Sequence, residues 1–468
     1  MFYLKYILGG IKVSKKNVFK DKKVLVVGMG RSGIAAADAL MDQEAEICLQ
    51  DSKEDCVSGE LMKKYEEYGA KCCFGCIPDD LDTYDAVVIS PGVPKELGFV
   101  RQAVSSGAEL LGELELAYRI GKGNYVAITG TNGKTTTTTL VGEIFRASGR
   151  KTEIVGNIGT AVASKAIDAT DEEWLITETS SFQLDTIRDF RPKVSAILNL
   201  APDHLDRHKT YENYIAAKAR IFENQTKEDF LILNHDDEET MKLAKASNAV
   251  VIPFSRVLEL EIGAYVKDGK IVIRDLTEKM HEVCEVSELL IPGTHNLENA
   301  LAAVAVSFFA GIGTDVIAGV LRTFKGVEHR IEDCGMVNGV KYVNDSKGTN
   351  PDAAIKAIQA MKENIILIAG GYDKGSDFTE FVNMFRGRVK HVFLIGKTAV
   401  KIKDTAEKQG FTETTIVKDM DACVSEAARI AKEGDVVLLS PACASWDMYQ
   451  SYEKRGEHFK ACVEELKK

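Results

Sequence analysis

Gly130-Thr131-Asn132-Gly133-Lys134-Thr135 is the stretch whose residue types could handle the terminal phosphates of a nucleotide. It follows the apolar run Tyr125-Val126-Ala127-Ile128 and leads into a helix-compatible segment beginning at Thr136, which is the order strand, glycine turn, helix. A glycine loop at a helix N-terminus turns several backbone N–H groups onto one phosphate, and the helix dipole adds to the attraction. Lys134 supplies a point charge for the outer phosphates, and the Thr135 hydroxyl is placed to ligate Mg2+. The usual phosphate loop has four residues between its glycines and this one has two, Thr131 and Asn132. The reading is an ATP site comprising Gly130 to Thr136.

Two further strand ends carry groups of the same kind. Glu178 follows the apolar run Trp174–Ile176, and a carboxylate there suits Mg2+. Asp203 and His204 follow Ala196–Leu198. Carboxyl ends of parallel strands converge on one crevice, so Lys134, Glu178 and His204 are expected together. Lys218 lies among alanines on a helical segment, Tyr214–Phe222, and its type alone predicts a solvated surface lysine. Near the N-terminus, Gly28-Met29-Gly30-Arg31-Ser32-Gly33 fits a dinucleotide loop, with Asp51 about twenty residues on where a ribose-binding carboxylate would stand. Beside an ATP loop this second site fits a nucleotide-linked substrate as readily as NAD. Toward the C-terminus, His329-Arg330, the stretch Asn344 to Pro351, Gly370 to Lys374 and Ser440 to Ser445 are polar loops suited to a carboxylate-rich ligand.

These groups need a scaffold of parallel strands. The 468 residues suggest about three domains, and strand–helix alternation runs through three blocks. The first has strands at Lys23–Val27, Glu46–Leu49 and Ala86–Ile89. The second begins with the phosphate loop and includes Phe230–Leu233; residues 257–290 alternate apolar and charged positions, as short antiparallel strands do. A helix from about Asn296 to Ala310 follows. The third block starts near Gly326, with strands at Ile365–Ile368, Val392–Ile395 and Val436–Leu439. The predicted architecture is α/β in three domains: a Rossmann-like 1–112, a central P-loop ATPase-type parallel sheet with added small antiparallel strands at 113–326, and a Rossmann-like 327–468.

A net charge of −11 and the absence of a basic patch argue against a nucleic-acid partner. The ten cysteines are irregularly spaced, and Cys72-Cys73-Phe74-Gly75-Cys76 lacks a second pair or a nearby histidine, so it reads as a reduced, partly buried group. Residues 1–20 hold a short apolar stretch, Phe2–Ile11, interrupted by Lys5; it does not reach bilayer length, and a surface strand or a loose arm would both fit. The expectation is a cytoplasmic monomer without a membrane partner.

Taken together, the phosphate loop, Gly156-Asn157-Ile158-Gly159, Glu178 to Leu184, Asp203 to Asp206, His295-Asn296 with Asn299, and His329-Arg330 resemble the Mur ligase family from about Lys22 onward. Asn344 to Asn350 and Ser440 to Ser445 resemble its D-glutamate-adding branch. The resemblance implies an ATP- and Mg2+-dependent amide ligase that joins D-glutamate to UDP-N-acetylmuramoyl-L-alanine through an acyl phosphate. It implies that Lys134, Glu178, His204, Lys218 and His329 are catalytic, and that Thr135, Glu178, His204 and a carbamylated Lys218 hold the metal. Gly130–Thr136, Asn296, Asn299, Arg330 and Asp345 would bind ATP. Gly30, Arg31, Ser32, Asp51, Gly92, Asn157 and His204 would hold the UDP substrate. Lys347, Thr349, Lys374, Ser445 and Tyr452 would grip D-glutamate. Trp446 and Tyr452 depart from the residues usual at their positions. Another ligase of the family, including a folylpolyglutamate-type enzyme, a nicotinamide-dependent oxidoreductase and a UDP-sugar sensor are the alternatives.

Overall fold

The computed structural model describes residues 18–467 except Lys362, Glu363 and Lys374. Most of the leading segment, residues 1–17, therefore lies outside the described residues, as does Lys374, one of the residues expected to grip D-glutamate. The chain forms two compact units. One contains the chain up to Leu200, Ile215–Glu285 and Ala300–Val320; the other contains Ala201–Tyr214, Val286–Asn299 and Leu321 onward.

The first unit holds two sheets. β1 (Lys23–Val27), β2 (Glu46–Asp51), β3 (Lys71–Phe74), β4 (Ala86–Ile89) and β5 (Glu109–Gly112) form a parallel sheet in the order β3-β2-β1-β4-β5. The central β1 is buried along Val24–Val27, which is why it reads as a continuous apolar run and does not alternate.

The second sheet is built from β6 (Asn124–Thr129), β7 (Thr152–Gly156), β8 (Trp174–Glu178), β9 (Val194–Ile197), β10 (Phe230–Asn234), β11 (Val250–Ser255), β12 (Gly263–Lys267), β13 (Lys270–Arg274) and β14 (Met280–Glu285). Their order is β14-β13-β12-β11-β10-β9-β6-β8-β7. β6 lies between β8 and β9, with Ile128 opposite Glu178 on one side and Ala196 on the other. The chain leaves β6 for β7 on one side and later crosses from β8 to β9 on the other, so a crevice opens at the carboxyl ends of these strands. β12, β13 and β14 pair antiparallel, as the alternation predicted. The β12–β13 turn is Asp268-Gly269, with φ of 49° and 78°. Two successive positive φ values suit the twist of a two-residue hairpin, and Asp-Gly tolerates them.

The second unit carries β15 (Glu332–Val337), β16 (Val340–Asn344), β17 (Ile365–Gly370), β18 (Val389–Ile395), β19 (Thr414–Ile416) and β20 (Val436–Leu439), ordered β15-β16-β20-β17-β18-β19. Only β15 and β16 pair antiparallel, through the turn Asn338-Gly339. Both faces of this sheet are covered. Phe378, Phe381 and Phe385 pack with Leu367 and Leu394 on one, while Phe459, Val463 and Val424 pack with Ile366 and Phe393 on the other. The α/β architecture of three sheets is as expected.

All ten cysteines of the sequence are free thiols, with Cys73 buried, Cys72 half-buried and Cys76 exposed. No described helix is long and apolar enough to cross a membrane.

Candidate active site

The phosphate loop is held from outside. Gly130 adopts φ +151° and Gly133 φ +82°, so the chain turns sharply between β6 and the helix Lys134–Ala147. Thr131 N donates to the Asn199 carbonyl (2.9 Å). Asn132 N donates to Asn199 Oδ1 (2.8 Å), and Asn199 Nδ2 donates back to the Asn132 carbonyl (3.1 Å). Asn199, two residues beyond β9, therefore clamps the loop's flank. That leaves the first turn of the following helix, whose leading N–H groups have no intrahelical acceptor, as the anion-binding face.

Two lysines converge on this loop. Lys134 Nζ donates to the carbonyls of Gly130 (2.9 Å) and Thr131 (2.8 Å). Lys218 Nζ donates to the same Gly130 carbonyl (2.8 Å) and lies 3.3 Å from Thr129 Oγ1. Lys218 is only 2% exposed, on the helix Tyr211–Ala219, which corrects the solvated position that its type alone predicted. Flanking alanines leave room for the helix to seat that long side chain against the end of β6.

Glu178 ends β8 beside this point. Its Oε1 accepts from Asn157 Nδ2 (2.7 Å), while Oε2 is buried without a hydrogen-bond partner. Thr135, at the start of the helix, is also buried. The unpartnered carboxylate oxygen of Glu178 and the Thr135 hydroxyl are hard oxygen donors of the type that Mg2+ takes. The residues fit the ion.

The Gly28 loop is also braced. Gly28 has φ +87°, and a Cβ on Gly33 would stand 1.8 Å from the Gly28 carbonyl, so Gly33 lets helix and strand touch. Asp51 Oδ2 accepts from Met29 N (2.8 Å) and Oδ1 from Lys53 N (3.0 Å). Beside them is a cavity of about 540 Å³ whose lining includes Gly28, Asp51, Gly92, Pro94 and Phe99. Gly30, Arg31 and Ser32 are not in that lining. Arg31 Nη1 instead reaches the Gly159 carbonyl (3.2 Å), and Asn157 sits with Glu178.

In the second unit, His204 adopts φ +53°; its N–H bonds Asp203 Oδ1 (2.9 Å), and Asn350 Nδ2 donates to Asp203 Oδ2 (3.2 Å). Asn299 Nδ2 donates to Asn296 Oδ1 (3.1 Å), and both residues are buried. His295 is pushed down to about 3 by burial and by the charges of Arg330 and Lys356, so it is neutral, and its Nε2 has no hydrogen-bond partner. Arg330 Nη1 donates to Asp345 Oδ1 (3.1 Å) and Ser440 Oγ to Asp345 Oδ2 (2.7 Å). Burial raises the Asp345 carboxyl, against the opposing pull of Arg330.

His329 is buried with φ +63°. Ser346 N donates to Asn344 Oδ1 (3.0 Å), which orients that amide so that its Nδ2 faces His329 Nδ1 at 3.0 Å. With Nδ1 accepting, the ring's proton belongs on Nε2.

Lys347 Nζ donates to Tyr452 Oη (3.0 Å) and lies 4.8 Å from the centre of its ring. Ser445 is buried and Trp446 is 62% exposed, its ring 5.6 Å from that of Tyr372. Thr349 N bonds the Lys347 carbonyl. Sequence reasoning missed Arg455, which is 1% exposed on the helix Tyr452–Glu465. Its guanidinium donates to Ser346 Oγ (3.0 Å) and to the carbonyls of Ser346 (2.8 Å), Cys443 (3.1 Å) and Ala444 (3.3 Å). One buried cation thus joins the two polar loops. Nothing local in its sequence signals this; nor does anything local signal Asn199.

The chain matches the Mur ligase MurD-like N-terminal domain over residues 22–112, the Mur ligase middle domain over 128–307, and the Mur ligase glutamate ligase domain over 329–443. It is 51% identical over 452 residues to the UDP-N-acetylmuramoylalanine--D-glutamate ligase of Thermoanaerobacter sp. (strain X514), covering 96% of this chain and 99% of that one. The proteins of the same name from Alkaliphilus oremlandii and Clostridioides difficile are 50% and 48% identical, at the same coverage. Among solved structures, the UDP-N-acetylmuramate-alanine ligase MurC of Thermotoga maritima superposes with a TM-score of 0.59 at 18% identity, covering 95% of this chain and 99% of that one. A pseudomurein peptide ligase type C from Methanothermus fervidus gives 0.58 at 19% identity, covering 95% and 100%. The likeness to these two structures is one of fold.

Proposed function

This chain belongs to the Mur ligase family, and we infer that it is an ATP-dependent ligase that adds D-glutamate to UDP-N-acetylmuramoyl-L-alanine in peptidoglycan precursor synthesis. The observation that carries the reading is the near full-length likeness to D-glutamate ligases. The substrate's terminal carboxylate attacks the ATP γ-phosphorus, and the bond to ADP breaks. The D-glutamate amine then attacks the acyl carbon of the resulting acyl phosphate, and phosphate leaves as the amide forms.

The chain's own groups suit this sequence. Lys134 and Lys218 share one carbonyl acceptor, so two ammonium groups meet at one backbone oxygen, with Lys218 buried and Lys134 half-buried. An anion relieves that repulsion, and a γ-phosphate entering the loop would draw Lys134 off its backbone acceptors onto phosphate oxygens. Carbamylation of Lys218 would relieve it as well, turning the cation into a carboxylate-like group that joins Glu178, Thr135 and His204 as metal ligands. Bound there, Mg2+ would neutralise the phosphate oxygens and lessen repulsion between two anionic reactants. Arg330, in this reading, stabilises charge on the transferring phosphoryl group, while Asn296, Asn299 and Asp345 hold the rest of ATP. His329, its Nδ1 occupied by Asn344, presents Nε2–H as a donor. Lys347, Thr349, Lys374, Ser445 and Tyr452 receive the D-glutamate carboxylates, and the cavity at Asp51 and Gly92 receives the uridine end of the other substrate. The domains divide near residues 112 and 326, and the enzyme works as a monomer in the cytoplasm, where ATP is supplied.

The test is phosphate release from ATP and Mg2+ by purified protein with UDP-N-acetylmuramoyl-L-alanine and bicarbonate, offering D-Glu, L-Glu, D-Ala, L-Lys or diaminopimelate. Release with D-Glu alone, and a product heavier by one glutamyl residue, is expected. Release with another acceptor reassigns the amino acid, and silence with every acceptor refutes the ligase.

A further inference from the structure

We propose that Asp421, His458 and Cys462 form a binding site for a borderline-soft divalent metal of the zinc class, on the face of the C-terminal sheet where the helices Met420–Ile430 and Tyr452–Glu465 pack together. The side chains are already gathered there. Their ligand atoms all lie within 4.8 Å of one another. His458 Nε2 is 3.2 Å from Asp421 Oδ2, and Cys462 Sγ is 3.6 Å from Asp421 Oδ1. A tetrahedral zinc ion with ordinary bond lengths separates a nitrogen from an oxygen ligand by about 3.3 Å and a sulfur from an oxygen by about 3.6 Å. The two contacts use different oxygens of Asp421, and a turn of this exposed carboxylate brings one oxygen to both.

The sequence supplies the geometry cheaply. His458 and Cys462 are four residues apart on one helix, so they share a face. Asp421 comes from the first turn of the neighbouring helix. Tyr449 Oη lies 2.9 Å from His458 Nδ1. A hydroxyl accepting from Nδ1–H would leave Nε2 unprotonated and aimed at the cluster, which is how metal-ligating histidines are usually oriented. Two further carboxylates act on the cluster, Asp419 on His458 and Glu465 on Cys462, with Asp419 also paired to Lys418 at 3.3 Å; Cys423 lies in the same buried layer as Cys462. Three protein ligands leave a fourth position for water.

Without a metal, burial and the Asp421 charge push the Cys462 thiol up to about 12, so it holds its proton. Metal binding therefore breaks the S–H bond, forms the metal–sulfur bond and releases one proton to buffer. The bound ion would tie the first turn of one helix to the middle of the other, whose N-terminal turn carries Tyr452 and Arg455. The simpler alternative is a hydrogen-bonded chain of Tyr449, His458 and Asp421 with no affinity for metal.

Cobalt(II) distinguishes the two, because tetrahedral cobalt bound to thiolate absorbs through sulfur-to-metal charge transfer, whereas cobalt on oxygen ligands at the phosphate loop does not. The nucleotide-free full-length protein, reduced and stripped with chelator, is titrated with Co2+. Expected is a charge-transfer band saturating at one equivalent and displaced by Zn2+. It should be lost in Cys462→Ser, and cobalt affinity should fall about 10- to 100-fold in His458→Gln and in Tyr449→Phe. Cys73→Ser controls for the other cysteine cluster. His458 and Asp421 are partly exposed, so His458→Gln and Asp421→Asn should keep the fold, as circular dichroism can check. Absence of a charge-transfer band, or a band that persists unchanged in Cys462→Ser or His458→Gln, overturns the site.

Discussion

Replacing Glu113 by glutamine should change how the stability of the first unit depends on pH. Glu113 opens the helix Glu113–Ile120 and is 2% exposed. Its Oε1 accepts from Ala163 N at 2.5 Å, and Oε2 is buried with no hydrogen-bond partner. Burial raises its carboxyl from 4.5 to about 7, against the opposing effect of two backbone N–H groups. Between those two values the folded protein keeps a proton that the unfolded chain has released. Stability is therefore intact below about pH 4.5, falls as pH rises through the window, and stays lowered above about 7. The difference between the two values corresponds to about 3 kcal/mol. Glutamine keeps the acceptor for Ala163 N and cannot ionise, so wild type should lose about 3 kcal/mol relative to Glu113→Gln between pH 4.5 and 8. Urea titrations can follow Trp174, which is buried in this unit, after the exposed Trp446 is replaced by phenylalanine. The readout is the pH dependence of the difference, so a constant offset from the new amide does not disturb it. A difference that stays flat across this range refutes an ionisable, strained carboxyl at residue 113.

Three further outcomes follow from particular contacts. Lys134→Ala should reduce turnover by at least about 10²- to 10³-fold, since in the function proposed it removes the charge that would move onto the transferring phosphate; steady-state phosphate release measures it. Gly456→Ala places a Cβ 2.3 Å from His329 Nδ1 and 3.0 Å from Asn344 Nδ2, so it should cost about 1–3 kcal/mol in denaturant titrations and also lower kcat. Arg455→Lys strips most of four hydrogen bonds from a buried cation and should destabilise the second unit by about 2–4 kcal/mol; circular dichroism in urea would detect it, and an unchanged midpoint would contradict the bridging role.

The parts of the fold legible in the sequence were those encoded locally. Lys23–Val27, Ala86–Ile89 and Val436–Leu439 begin and end as their apolar runs do, because a buried parallel strand needs such a run and nothing else. Short strands such as Glu109–Gly112 and Thr414–Ile416 went unread, being too brief to show a period. Asp268-Gly269 and Asn338-Gly339 were readable hairpin turns that the alternation alone did not locate. At the site, the loop and Glu178 announced themselves by type. Lys218 did not, because what buries it is a contact with Gly130, 88 residues earlier in the chain. Asn199 and Arg455 likewise act over 67 and 109 residues, where no local pattern can report them.

Asp51 illustrates why a motif alone could not choose between a nicotinamide cofactor and a UDP-linked substrate. The spacing from Gly28 to Asp51 is that of a ribose-binding carboxylate, yet each of its oxygens already accepts a backbone N–H, one from Met29 inside the glycine loop. The carboxylate therefore fixes the loop's shape whether or not a sugar is bound. Its remaining lone pairs can still take a hydroxyl, because an ionised carboxylate has about four acceptor positions. Beside it the cavity wall, where Phe99, Pro94 and Gly92 lie, offers an apolar slot next to polar groups. Such a slot suits a flat base, and it does not by itself distinguish uracil from adenine or nicotinamide. In the function proposed above, that discrimination comes from the rest of the molecule: a second, separate phosphate loop would take ATP, and a nucleotide held at Asp51 would be a handle on the substrate.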